Sequence, residues 1–413
     1  MAHTLIHNGA VIDGNGGPPI SNGAVLVEDN RIVAVDRAGR IGQPDGATSI
    51  DARGGTIMPG LIDTHVHVMF EQIDILRMLN TPFSLRFYNA AKHLRTTLEA
   101  GITSVRDAGG ADLGVKTAVE QGLISGPRMQ ISTAVLSITG GHGDSWTVSG
   151  ADPQLFPAYP GMPSGICDGP EGVRKKVREV LRAGADVVKV CSTGGVLSPV
   201  DHPHYTQFSP EELAIMVQEA GYRGAYVMAH AQGTEGIKNA IRAGIRSIEH
   251  GMFLDDEAID LMLKHGTFLV PTLVAPLGVI EQAEQKGTMP EYGLRKARET
   301  LEAHQESISR AIAAGVRTAM GTDAAVVPHG SNLRELGLMV RSGMTSMQAI
   351  VSSTKIAAEC MRWDDRLGTL AAGKLADIVI VDGDPLADIR ILERRERIAL
   401  VMKDGRVEVD RQG

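Results

Sequence analysis

The apolar positions of residues 1–58 fall in short runs divided by turn residues. Thr4-Leu-Ile-His, Ala24-Val-Leu-Val-Glu and Arg31-Ile-Val-Ala-Val read as strands, with turns at Asp13-Gly-Asn-Gly-Gly and Pro44-Asp-Gly. Residues 368–413 carry the same pattern in Ala376-Asp-Ile-Val-Ile-Val, Asp382-Gly-Asp-Pro, Ile398-Ala-Leu-Val-Met and Lys403-Asp-Gly. Each end is too short to bury a core alone, so the two are predicted to pack together as one β-rich domain.

Over residues 59–367 the period changes. Short apolar runs alternate with amphipathic helical stretches, the pattern of βα units around a parallel sheet. Strands are predicted to end near His67, Asp107, Thr139, Lys189, His230, His250, Thr272 and Asp323, and helices to span 84–100, 172–183, 210–223, 235–243, 256–264 and 292–314. Four helices close on Ala-Gly (Ala100-Gly101, Ala183-Gly184, Ala243-Gly244, Ala314-Gly315), where Gly supplies the left-handed C-cap. Eight strand ends fit an α/β (β/α)8 TIM barrel as the second domain. The longest irregular stretch, 140–169, holds Trp146, Phe156 and Tyr159. It reads either as a lid over a substrate pocket or as an added structural hairpin.

Composition narrows the class. With 41 Lys+Arg against 49 Asp+Glu the net charge is −8, which argues against a nucleic-acid or anionic-membrane partner. A hydrophobic fraction of 43% excludes disorder, and no apolar run approaches the roughly 18 residues of a membrane span. The N-terminus lacks a secretory pattern. Three dispersed cysteines (Cys167, Cys191, Cys360) point to a reducing, cytoplasmic setting and to no cysteine-based zinc site.

The chemistry lies in histidines, a lysine and an aspartate at strand ends. His65 and His67 in Pro59-Gly-Leu-Ile-Asp-Thr-His-Val-His point to one face of a strand and reach one metal ion together. Lys189, in Ala185-Asp-Val-Val-Lys, either snorkels to solvent or lies buried with a depressed pKa. In the second case its neutral amine can add CO2 and become an anionic bridging ligand. His230, His250 and Asp323 each close an apolar run. Alone, each reads as a core or capping residue. Together they occupy the carboxyl ends of five strands, the face on which barrel enzymes build metal-assisted hydrolytic sites. Asp107 reads as a partner for a metal-bound histidine or as an ordinary strand-end cap.

On these residues, and on Gly368-Thr-Leu-Ala-Ala-Gly-Lys-Leu-Ala-Asp-Ile-Val-Ile-Val-Asp-Gly-Asp-Pro, the sequence resembles the amidohydrolase superfamily over essentially its whole length. Gly140-Gly-His-Gly-Asp, Lys189-Val-Cys-Ser-Thr-Gly-Gly and Ile248-Glu-His-Gly place the resemblance in the branch of Xaa-Pro dipeptidases, arginine or lysine carboxypeptidases, ochratoxin-type amidases and imidazolonepropionase-like proteins. The resemblance implies a β-sandwich from residues 1–58 and 368–413 beside a barrel over 59–367. It also implies two divalent ions, zinc first with Mn²⁺, Co²⁺ or Fe²⁺ as substitutes. His65, His67 and Asp323 would hold one ion and His230 and His250 the other, with N6-carboxylated Lys189 and a hydroxide bridging them. Asp323 would be the general base and His142 a donor to the oxyanion.

The implied activity is amide hydrolysis of a small-molecule substrate by a homo-oligomer, most directly as a dipeptidase or carboxypeptidase of dipeptides or N-acyl amino acids. The alternatives are aryl, cyclic or ochratoxin-like amides and phenylureas, and more distantly a non-catalytic scaffold. Gln232 stands where some dipeptidase relatives carry Tyr, which puts their mode of holding a Pro-containing dipeptide in doubt. Gln232, His204 and Tyr205 are the expected substrate contacts.

Overall fold

A computed structural model describes residues 2–71, 74–154, 157–287 and 289–412. The chain opens with β1 (His3–Val11), β2 (Ile20–Glu28), β3 (Arg31–Arg37), β4 (Thr48–Asp51) and β5 (Thr56–Pro59). It continues through β6 (Leu61–Val66), β7 (Ile102–Asp107), β8 (Arg128–Ile131), β9 (Val135–Leu136), β10 (Val187–Cys191), β11 (Tyr226–Ala231), β12 (Ser247–His250) and β13 (Phe268–Val270). It closes with β14 (Ile378–Val381), β15 (Ile398–Lys403) and β16 (Arg406–Asp410).

The two ends of the chain meet in one sheet of order β16-β15-β14-β5-β1-β2-β3, with β4 beside β1. β14 lies antiparallel to β5, pairing Ile378 with Pro59 and Ile380 with Ile57. Ile6, Val25, Ile57, Ile378 and Leu400 form its core. Strands from both ends of the chain are thus hydrogen-bonded into a single eight-stranded sheet. Gly60 alone separates β5 from β6, and its N–H donates to Asp377 O at 2.8 Å.

The central strands are parallel. β6-β7-β8 form one sheet and β9 through β13 another. Only residues 132–134 separate β8 from β9, with Thr133 at φ 58, so one kinked segment serves both sheets. On the other side, Thr318 bridges Leu269 and Ala324 bridges Val66, both in parallel sense. Helices cover the outside, among them Leu85–Glu99, Gly169–Arg182, Pro210–Gly221, Thr234–Arg242, Asp256–His265 and Glu291–Ala313. Gly101, Gly184, Gly244 and Gly315 all take positive φ, as the Ala-Gly endings require.

Three expectations need correction. The third strand stops at Leu136, not Thr139, because the Thr139 N–H and Oγ1 turn to the Asp168 carboxylate at 3.0 and 2.7 Å. The eighth strand is reduced to the bridges at Thr318 and Ala324, since Asp323 (φ 60) and Ala325 (φ 125) leave extended geometry. Among the described residues of 140–169 only short bridges form (Ser137 with Ile166, Tyr159 with Met162). Tyr159 packs on Phe83 and Phe87 and donates to Asp112, Trp146 stands exposed, and Phe156 lies outside the described residues. Neither Tyr159 nor Trp146 lines the central cavity.

Candidate metal centre

The strand ends bring the predicted ligands into one cluster. Ring centroids of His65 lie 5.5 Å from His67 and 5.2 Å from His250, and His230 lies 4.6 Å from His250. Asp323 Oδ1 stands 3.6 Å from His65 Nε2 and 3.3 Å from His67 Nε2. One ligand atom from each of His65, His67 and Asp323 falls within 4.8 Å of the others. Strand alternation puts both imidazoles of His65-Val-His67 on the inner face.

Hydrogen bonding fixes which nitrogen each imidazole offers. His65 Nδ1 donates to Glu249 Oε2 at 2.7 Å and His67 Nδ1 to Gly109 O at 2.8 Å. Both acceptors lack a proton, so Nδ1 is the donor in each ring. His65 keeps a lone pair at Nε2, whereas His67 Nε2 also donates, to the Asp323 carboxylate, and that bond raises the His67 pKa against burial. His230 is committed in the opposite sense, with Nε2 donating to Gly194 O at 3.1 Å and Nδ1 left as the lone pair. His250 Nδ1 pairs with Thr272 Oγ1 at 2.7 Å, leaving Nε2. Burial drives His65, His230 and His250 well below the usual imidazole range, aided by Lys189, His142 and His65 respectively. Burial opposes the Asp323 charge, but the bond from His67 and the nearby His65 hold its carboxyl well below the carboxylate range. Neutral imidazoles and an ionised carboxylate are the states a divalent cation needs, and His67, whose pKa Asp323 raises, would give up a proton when a cation binds.

Lys189 is 3% exposed and its Nζ has no hydrogen-bond partner among the described residues. Burial depresses its pKa, against the attraction of Glu249. An orphaned amine whose charge burial disfavours, set among imidazoles and a carboxylate, rules out snorkelling and fits a centre that takes up divalent cations.

Residues behind the ligands hold them in place. Glu249 is fully buried and also accepts from Arg106 Nη2 at 2.9 Å and Ser247 Oγ at 2.5 Å. Asp63 accepts from His65 N, Thr322 Oγ1 (2.6 Å) and Asn332 Nδ2 (2.8 Å), anchoring the turn before Asp323, while burial pushes its carboxyl up to about 6. His304 Nε2 sits 2.9 Å from both His250 O and Pro271 O. His250 (φ 74), Thr272 (φ 48) and Asp323 (φ 60) all adopt left-handed backbone, strain that these bonds offset. Asp107 proves to be a cap, accepting from the N–H groups of Val68, Gly109 and Ala111. The supporting roles of Glu249, Arg106, Thr272 and His304 were missed in the sequence. The available signal was one pair of opposite charges inside short predicted strands, Arg106 in β7 and Glu249 in β12.

The cluster forms the floor of a cavity of about 150 Å³. His142 and Gln232 line it; His204 and Tyr205 do not. His204 packs on Phe253 and Tyr205 is exposed, so neither meets the expected substrate space. His142 stacks on His230 at 4.1 Å with Nδ1 2.9 Å from Ser198 Oγ. Gln232 is 3% exposed, and its Oε1 finds no partner among the described residues. The remaining wall includes Phe70, Val135, Leu197, Met252, Val279 and Val326. Apart from histidines, Lys189 is its only cationic side chain among the described residues.

Comparison with known proteins gives the family. The amidohydrolase family model matches residues 56–407, and the chain belongs to that family. It is 34% identical over 98% of its length to the ochratoxinase of Aspergillus niger, covering 86% of that protein. A Xaa-Pro dipeptidase solved with methionine in its active site superposes with a TM-score of 0.89 at 36% identity, covering 98% of this chain and 99% of the other. A prolidase complexed with N-methylphosphonate-L-proline gives 0.89 at 36% identity over the full length of both chains. The protein is a hydrolase of this family. Among the described residues no helix is long and apolar enough to cross a membrane.

Proposed function

We propose that the protein hydrolyses amide bonds of small, largely uncharged molecules at a two-metal centre. The barrel reading of residues 59–367, with the terminal sheet of 1–58 and 368–413 as a second domain, is part of this proposal. It is supported by the cyclic order of parallel strands through the bridges at Thr318 and Ala324. The observation that carries the activity is the gathering of His65, His67, His230 and His250 around Asp323 beside the orphaned Lys189 Nζ. His65, His67 and Asp323 would hold one ion, His230 and His250 the other, and Lys189, as its carbamate, would serve both. When bound, the ions supply Lewis acidity and lower the pKa of water at the site. Asp323 accepts the proton of the attacking water and returns it to the leaving nitrogen. His142, the cavity's non-ligand imidazole, faces the scissile group, and the Gln232 amide is the polar contact that orients it.

The apolar wall favours aryl or aliphatic amides over the dipeptides and N-acyl amino acids expected first. A free carboxylate would find no guanidinium among the described lining residues and no ammonium beyond Lys189. A screen of zinc-reconstituted protein against aryl amides, N-acetyl amino acids and dipeptides tests both parts. Preferential turnover of neutral amides is expected. Turnover confined to dipeptides refutes the substrate class, and no amide turnover with metal bound refutes the activity.

A further inference from the structure

A buried hydrogen-bond chain ends on His142. At its root Lys296, on helix Glu291–Ala313, donates to the carbonyls of Gly195 (3.0 Å), Ser198 (2.8 Å) and Asp201 (2.6 Å) and lies 3.7 Å from the Asp201 carboxylate. That carboxylate accepts from Ser198 Oγ, from Gln207 Nε2 at 3.1 Å and from Gly195 N at 3.3 Å. Ser198 Oγ meets His142 Nδ1 at 2.9 Å, and Gln207 Oε1 accepts the His142 N–H at 3.1 Å. Lys296, Asp201, Ser198 and Gln207 are all buried. Gly195 leaves room for the ring, because a Cβ there would lie 2.2 Å from His142 Cε1.

Counting protons along the chain gives one arrangement. The Asp201 carboxylate beside an ammonium offers only lone pairs, so its close contact with Ser198 uses the single hydroxyl proton. Ser198 Oγ then has only lone pairs for His142, and Nδ1 must bring the proton. In the opposite tautomer Ser198 would donate to His142 and leave two lone pairs facing each other at Asp201. A neutral imidazole carries one N–H, so Nε2 is bare.

We propose that Asp201, acting through Ser198, is a positioning residue that holds neutral His142 as its Nδ1–H tautomer and turns an acceptor toward the substrate. The inference rests on the reading of His142 as a substrate-facing group. It changes the role expected from the sequence. Through Nε2 the neutral ring accepts a hydrogen bond from a substrate N–H or from water.

The test uses zinc-reconstituted protein labelled with ¹⁵N in its histidine rings, with His142→Asn identifying the His142 signals. The expected spectrum shows one-bond N–H coupling at Nδ1 of His142 and none at Nε2. Ser198→Ala and Asp201→Ala, checked for native melting, should spread the proton over both nitrogens. They should also lower kcat by about 10- to 100-fold with little change in KM, the loss typical of removing a residue that orients a site imidazole. An Nε2–H signal in the wild type overturns the proposal. So do unchanged His142 signals, or unchanged kcat, in both folded variants. If His142→Asn keeps full kcat while the wild type shows the Nδ1–H signature, the substrate-facing reading fails and the tautomer assignment stands.

Discussion

His65 and Glu249 are joined by a 2.7 Å hydrogen bond between Nδ1 and Oε2, and neither side chain is more than 1% exposed. The same carboxylate pairs with fully buried Arg106, so one acid both orients an imidazole of the candidate metal centre and neutralises a buried guanidinium. Replacing Glu249 with Gln should weaken metal affinity by about 10- to 100-fold. Glu249→Ala, which strands the Arg106 charge, should cost about 3–5 kcal/mol of stability. Zinc content after equilibration with a chelator and thermal melting check the two effects.

Lys189 gives a second prediction. Its buried, unpartnered Nζ and depressed pKa suit reaction with CO2. Reconstitution in bicarbonate-free, degassed buffer should yield lower metal content than reconstitution with added bicarbonate, and Lys189→Ala should show no such dependence. Equal metal uptake with and without bicarbonate would exclude the carbamate.

Gln232 offers the cavity a buried carbonyl oxygen with no protein partner. Gln232→Leu should raise KM for neutral amides by roughly 2- to 10-fold, the worth of one ordinary hydrogen bond, with a smaller effect on kcat. Steady-state kinetics on the best substrate decides it. An unchanged KM would mean that the amide does not touch substrate.

Glu335 accepts the N–H groups of Leu273 and Val274, next to Thr272, at 2.8 Å each. Burial pushes its carboxyl from 4.5 up to about 8, despite those two bonds. Between these values the folded chain binds more protons than the unfolded one. The contribution to stability is therefore fully present below about pH 4.5 and is lost as pH rises through about 8. Glu335→Gln, neutral throughout, should melt progressively higher than the wild type as pH rises over that window. A melting difference that does not change with pH would refute the assignment.

Much of the fold was legible because periodicity is local. The Ala-Gly endings located four helix termini, since only a residue tolerant of positive φ continues from a helix into the next strand. Strand ends at Asp107 and His250 were likewise readable from apolar runs. The eighth strand was not, because two isolated bridges to β6 and β13 stand in for a ladder there. The helix Val274–Lys286 was not read either, since its first turns are apolar on every side and show no period.

The sequence by itself singled out the candidate metal ligands His65, His67, Lys189, His230, His250 and Asp323, because each is a donor at the predicted end of an apolar run. It could not say which nitrogen each imidazole offers. That depends on Glu249, Gly109, Gly194 and Thr272, which approach from other strands and loops. Nor could it separate His142 and Gln232, which line the cavity, from His204 and Tyr205, which do not. Loop direction is set by long-range contacts such as those of Lys296 with the Gly195–Asp201 backbone, and no local pattern encodes them.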